Sequence, residues 1–350
     1  MKRRQLLKWS AAAACGPLVG RGEGAGPGVT FFLASDTHYH ALEESPGEMD
    51  PRSAAVNGRL VDQMNRLPGT EIPAEAGGGV VPEPAGVIHG GDIIDSGDKN
   101  GAKYVAMQAT ELAAFVRDWG TDGKDGKLKW PCREVHGNHD GPQGVGAMME
   151  LLADRNQQRS GLAAVSANGL HCAWDWGGVH FLNLGIVVGQ TGGVARRRRY
   201  APMESLAFLV EQLAAVPVEK PLVITHHVDM MRYAAEVEEK KVLTHEWDYA
   251  DVRSYWEAIR GRRVAAVLYG HTHGRNVFRW DGGSRPAAEG TAAVPVFNAD
   301  NSAHFKDKRQ ALTMVTVDGA GTTFREFATV DAWETGMWTP QVWRFPAKAG

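Results

Sequence analysis

The chain has 350 residues, 43% hydrophobic and 23% charged, with 38 Lys and Arg against 41 Asp and Glu for a net charge of −3. This is ordinary globular usage and enough chain for one large α/β domain, which excludes dominant disorder and nucleic-acid binding through bulk positive charge. No stretch reaches the roughly 18 consecutive apolar residues of a spanning helix, and Cys15, Cys132 and Cys172 are too few for a disulfide framework or a cysteine-based zinc module, so any metal must be held by His, Asp, Glu or Asn.

The first 27 residues read as an export signal. Met1-Lys2-Arg3-Arg4-Gln5-Leu6-Leu7-Lys8 is basic, Ala11-Ala12-Ala13-Ala14 is mildly apolar, and a glycine-rich stretch runs to Gly28. The order Arg3-Arg4-Gln5-Leu6-Leu7-Lys8 resembles a bacterial twin-arginine signal, which implies the twin-arginine export machinery as a partner and a periplasmic or extracellular location. The cleavage site stays open: Ala12-Ala13-Ala14 offers a small-residue site before Cys15, and a membrane anchor is expected only if Cys15 is lipidated, with Ala12 standing where a Leu belongs in that motif. Losing residues 1–27 removes Lys2, Arg3, Arg4, Lys8, Arg21 and Glu23 and leaves a net charge of −7. The expected organisation is a signal at 1–27, one domain over 28–330 and a C-terminal extension at 331–350 packed on that domain.

From residue 29 short apolar runs alternate with helical patterns. Residues 29–34 read as a buried strand. Residues 53–67 carry a helical stripe, Val56, Leu60, Val61, Met64 and Leu67, stopped by Pro68-Gly69. Next come a strand at 85–88, a helix at 105–119 ended by Gly120, and a strand at 132–135. A strand at 179–184 closes a hairpin from His171 through Gly177-Gly178. A helix follows at 202–216, then a strand at 222–225, a helix at 251–259, strands at 264–269 and 294–298, and a last hairpin at 312–317 and 322–327. The alternation predicts an α/β fold with much parallel or mixed sheet.

Five strands run into polar clusters: Asp36-Thr37-His38, Gly90-Gly91-Asp92, Gly137-Asn138-His139-Asp140, His226-His227 and Gly270-His271-Thr272-His273. Ligands of open α/β sheets gather at the carboxyl ends of strands. Imidazole and carboxylate suit first-row divalent metals. A carboxylate at Asp92 can bridge two cations, and the neutral carbonyl of Asn138 limits the negative charge.

In this order the five motifs resemble the calcineurin-like metallophosphoesterase superfamily over roughly residues 29–300. The resemblance implies a β-sandwich of two mixed sheets flanked by helices (αββα) and a dinuclear metal site, with Mn, Fe or Zn as the main candidates. One ion would take Asp36, His38, Asp92 and His273; the other Asp92, Asn138, His226 and His271. His226 is preferred to His227 because the residue ending the strand is the family's ligand, which leaves His227 an outer or substrate-contact role. In the purple acid phosphatases a Tyr ligand stands three residues after the motif aspartate; Asp95 stands there in this chain, which argues against that branch.

Two such cations activate a water and neutralise charge on a phosphoryl group. His139, beside Asn138, is the candidate acid for the leaving group, with Asp140 to orient it. His40, His89 and His136 read as outer or structural residues, and His171, His180, His245 and His304 as structural. Arg196-Arg197-Arg198-Arg199 reads as a solvated run, with attraction of an anionic substrate as the alternative. The expected function is an exported hydrolase of phosphate monoesters or diesters acting on a small phosphorylated substrate, not on long nucleic acid. The rival readings are a nuclease or nucleotidase on the same site and a non-catalytic metal-binding envelope protein. Loops at 39–52, 143–160, 187–200 and 228–247 would set specificity.

Overall fold

Alternation along the first strand explains the layering. In β1 (Val29–Ala34) the odd residues Val29, Phe31 and Leu33 pack into one core, while Phe32 and Ala34 pack into another. A strand buried on both faces needs a layer on each side. The computed structural model describes residues 28–190, 200–231, 234–235, 246–288 and 291–347. The signal-like segment 1–27 with Cys15, the arginine run 196–199 and His245 lie outside the described residues.

The first sheet joins β1 to β2 (Val87–His89) and β3 (Cys132–Glu134) in parallel. Its other half, formed by three strands near the end of the chain, is antiparallel. The second sheet is built from β4 (Leu162–Val165), β5 (Cys172–Trp176), β6 (Val179–Asn183), β7 (Leu222–Thr225), β10 (Val264–Tyr269), β11 (Asn276–Trp280) and β12 (Val294–Asn298). A short parallel pair, β8 (Ala234–Ala235) and β9 (Trp247–Asp248), stands apart. With β13 (Gln310–Asp318), β14 (Gly321–Thr329) and β15 (Met337–Pro346), the first sheet has the order β15-β14-β13-β1-β2-β3 and the second β11-β12-β10-β7-β6-β5-β4. In the second sheet β6, β7, β10 and β12 run parallel.

The sheets face each other through Phe31, Leu33, Phe181, Val223, Leu268, Phe297, Val315 and Phe324. Phe31 meets Phe181 edge-on at 5.2 Å between centroids, and Phe297 stacks on Phe324 at 4.5 Å. The outer face of the first sheet is covered by α1 (Pro51–Arg66), α2 (Ala102–Trp119) and α3 (Ala147–Gln158). The outer face of the second is covered by α4 (Ser205–Ala215) and α5 (Tyr249–Ile259). The four layers are therefore helix, sheet, sheet, helix, the expected αββα sandwich. Helix α1 begins where Pro51 stands in the first turn and the Asp50 carboxylate accepts from the Arg52 amide at 2.8 Å.

Several elements depart from the expected pattern, the short strands β4, β8 and β9 among them. The segment read as a specificity loop at 143–160 contains α3, whose weak amphipathic pattern hid it. Strand β11, which has no counterpart among the expected elements, follows the His-rich turn and pairs antiparallel with β12. Beyond residue 330, β15 pairs along β14, so this stretch forms the outer strand of the first sheet. Pro340 and Pro346 break its pattern, yet an edge strand tolerates them because only one side must pair. Cys132 and Cys172 are both free and buried, and burial pushes the Cys172 thiol up to about 11.

Candidate active site

The parallel strands β1, β2 and β3 in one sheet and β7 and β10 in the other deliver their carboxyl ends to a common edge. There the backbone turns sharply. Asp36, His38, Asp92, His271 and His273 have φ of 54°, 41°, 51°, 73° and 49°. Such left-handed conformations cost non-glycine residues about 1–3 kcal/mol each and gather at functional sites. Neighbouring loops hold them in place: the Asp36 amide donates to Gly91 O at 2.9 Å, and the His38 amide to Asp92 O at 3.1 Å. Gly137 is required beside them, because a Cβ there would overlap the Asp92 carboxylate and backbone.

Four groups of side chains among the described residues could hold a metal ion, and two of them consist wholly of strand-end motif residues. Asp36, His38 and His273 form one; Asp92, His227 and His271 form the other. In the first, His38 Nε2 is 3.1 Å from His273 Nε2, and His273 Nε2 is 3.5 Å from Asp36 Oδ1. In the second, His227 Nε2 is 3.3 Å from Asp92 Oδ2 and 3.2 Å from Asn138 Oδ1. Asp92 joins the sets, since its Oδ2 is also 3.7 Å from His38 Nε2.

These residues fit metal ions. Lone-pair atoms converge, and two imidazole nitrogens each about 2.0–2.1 Å from one ion lie about 3 Å apart. The electrostatics also favour positive charge. Burial works against the charge of Asp36, yet His273 and His227 hold its carboxyl at about 2. Burial likewise opposes His227 and His273 as cations, but Asp92 and Asp36 raise His227 to about 9, and Asp36 and Asp307 raise His273 to about 10. The metal-free chain draws protons to where cations would sit.

The structure brings Asp36, His38, Asp92, Asn138, His271 and His273 together. It corrects His226. Leu222 and Ile224 face the helices, and His226 follows the same parity. Its ring lies among Trp247, Tyr255 and Tyr269, at 5.3, 5.6 and 6.4 Å between centroids. Burial there pushes its pKa down to about 3. Val223 faces the other sheet, and His227 shares that side. Its Nδ1 is 2.8 Å from Gly90 O, so Nδ1–H donates there, and a proton lost from the ring would leave from Nε2, the nitrogen that faces Asp92.

His139 stands at the open side of the first set, a third exposed. Its ring is edge-on to His38 at 4.9 Å between centroids, and Nδ1 is 3.3 Å from Asp95 O and 3.8 Å from Asp98 Oδ1. Burial disfavours its charged form, but Asp92, Asp95 and Asp98 outweigh that and raise its pKa. The reading of Asp140 as the residue that orients this ring is also corrected. The Asp140 carboxylate accepts from the amides of Gly137 at 2.7 Å and of Ile93 and Ile94 at 2.9 Å. It ties the Asp92 loop to the Asn138 loop; burial, then the charge of Asp92, push its pKa up to about 7.

Residues outside the motifs complete the site. Asp95 Oδ1 lies 3.4 Å from His38 Nδ1, and its Oδ2 lies 3.0 Å from both His40 Nδ1 and Lys99 Nζ. His304, read from sequence as structural, packs its ring at 4.7 Å from His38 and 4.8 Å from His273. Glu246 Oε1 lies 3.8 Å from His271 Nε2. Glu246 and His304 follow no strand that the sequence marks, and Asp95 stands three residues beyond Asp92, outside the motif.

The family model for calcineurin-like phosphoesterases matches residues 29–275. No curated protein matches the chain. Among solved structures the chain is similar to a purple acid phosphatase from yellow lupin (Lupinus luteus) seeds, with 12% identity and a TM-score of 0.47 over 91% of this chain and 53% of that one, so it spans about half the length of the lupin protein. It is also similar to the phosphopantetheinyl hydrolase of Mycobacterium tuberculosis, with 12% identity and a TM-score of 0.39 over 79% and 91% of the two chains. A predicted phosphoesterase from Streptococcus pneumoniae matches at 11% identity and a TM-score of 0.36 over 91% and 98%. Since the family match takes in most of the chain, the chain belongs to the calcineurin-like phosphoesterase family and is a metal-dependent hydrolase of phosphoric esters.

Proposed function

We propose that the chain is an exported phosphoesterase with a dinuclear metal centre that hydrolyses a monoester or diester of a small phosphorylated molecule. The observation that carries this reading is the position of Asp92 Oδ2 between His227 Nε2 at 3.3 Å and His38 Nε2 at 3.7 Å, one oxygen shared by two imidazole-bearing sets. Asp36, His38 and His273 would hold one ion and Asn138, His227 and His271 the other, with Asp92 common to both. When bound, such a pair supplies Lewis acidity toward the phosphoryl oxygens and lowers the pKa of the attacking water. Export is supported by the order of basic, apolar and small residues in 1–27.

The chain's own residues supply the remaining work. The protein bonds around Asp36, Asp92 and Gly137 hold the donor atoms in place before substrate arrives. His139, partly exposed and with a pKa that three carboxylates raise against the opposing effect of burial, donates a proton to the departing oxygen. The test is hydrolysis of a panel of phosphate monoesters and diesters by the protein loaded in turn with Mn, Fe and Zn. Turnover of one class by the metal-loaded protein, lost on chelation, is expected; inactivity toward every ester would defeat the proposal.

His139 gives a sharper prediction. His139→Ala should lower kcat by about 10²–10⁴-fold on alkyl esters, whose leaving oxygen needs a proton. On p-nitrophenyl esters, whose leaving group departs as a stable anion, the loss should be much smaller. Equal losses on both would remove His139 from the acid role.

A further inference from the structure

Asp307 lies in the turn between β12 and β13, beyond the residues that the family model matches. Its Oδ2 is 2.8 Å from His273 Nδ1 and 2.8 Å from His304 Nδ1. An ionised carboxylate only accepts hydrogen bonds, so both Nδ1 atoms carry hydrogens, and in neutral rings both Nε2 atoms keep lone pairs. In His273 that is the nitrogen 3.5 Å from Asp36 Oδ1. The turn is well anchored: the Ser302 amide donates to Ser35 O at 2.7 Å, beside Asp36, and Gln310 Nε2 donates to Asp307 O at 2.6 Å.

We propose that Asp307 is a positioning residue of the metal centre, setting the tautomer and ring orientation of His273 while the same oxygen holds His304 against the rings of His38 and His273. The inference rests on the dinuclear reading above and adds a residue that the strand-end motifs do not contain. The Asp307 side chain is 38% exposed, so water can take its place when it is removed. The effect should therefore lie in the ordinary range for partners of metal-bound histidine, about 10–100-fold in metal affinity.

The test uses the full-length protein stripped of metal and titrated with zinc against a chromophoric chelator, with thermal melting of each metal-free form alongside. Wild type should take two equivalents. Asp307→Asn can place a neutral oxygen where Oδ2 stands, so the two Nδ1–H bonds lose their charge assistance and hold the rings more weakly. It should keep both equivalents and the wild-type melting temperature, yet bind one equivalent about 10–100-fold more weakly. His304→Ala removes the packed ring but leaves the bond from Asp307 to His273 in place, and should lose clearly less affinity than Asp307→Asn. Unchanged affinity in Asp307→Asn would overturn the proposal. So would an equal loss in His304→Ala, which would make the packing of the turn, and not the carboxylate, the cause. A wild-type protein that takes up only one equivalent would instead defeat the dinuclear reading, while the loss caused by Asp307→Asn on that equivalent would still report on His273.

Discussion

Asp92→Asn is expected to lower kcat/KM by more than about 100-fold, beyond the range seen for outer partners of metal ligands, in a protein that remains folded. The charge at Asp92 is the one common to both sets, and Asn presents a single neutral oxygen in its place. Asn is the informative replacement because Asp92 has φ of 51°, a conformation that Asn adopts more readily than most residues. Its side-chain oxygen can also keep accepting from the His139 amide, now at 2.8 Å from Asp92 Oδ1. Steady-state kinetics with saturating metal, paired with circular dichroism and metal content, provide the check. Near-wild-type turnover with full metal loading would show that Asp92 is not shared between two ions.

The adjacent histidines yield the second large effect, with opposite outcomes one residue apart. His227→Ala should reduce kcat/KM by more than about 100-fold, again exceeding an outer-partner loss, and should lower metal content. His226→Phe should retain activity and metal, because a phenyl ring keeps the stack against Tyr269 and the edge contacts to Trp247 and Tyr255. Its melting temperature should be unchanged or higher, since a phenyl ring carries no buried polar nitrogen into an aromatic pocket. Assay and elemental analysis of the two variants side by side decide the matter. If His226→Phe lost the metal and His227→Ala kept it, the assignment made from strand parity would be reversed.

Much of this site was legible in the sequence because its signals are local. A short apolar run and then Asp, Asn or His occupy a few consecutive residues at Asp36, Asp92, Asn138 and His271, with a glycine between them at the last three. Where a side chain's direction mattered, the local signal was insufficient. The parity of β7 was present in the sequence, but choosing between His226 and His227 required knowing which face of that strand met helices and which met the other sheet. Asp140 follows His139 directly, yet its carboxylate turns to the amides of Ile93 and Ile94, 47 and 46 residues away in the chain, and to that of Gly137. A neighbour in sequence was not a neighbour in hydrogen bonding.

By itself, then, the sequence determined the alternation of strands and helices, the absence of cysteine from the site and the strand-end groups able to hold cations, because these follow from residue type and spacing. Only the tertiary structure decided that the outer edge of the first sheet is made by residues 337–346, that His227 and not His226 turns toward Asp92, and that Asp307 and His304 join the site from a turn near the end of the chain. The physical reason is separation. His38 and His273 stand 235 residues apart and meet only because strands of two different sheets end at one edge.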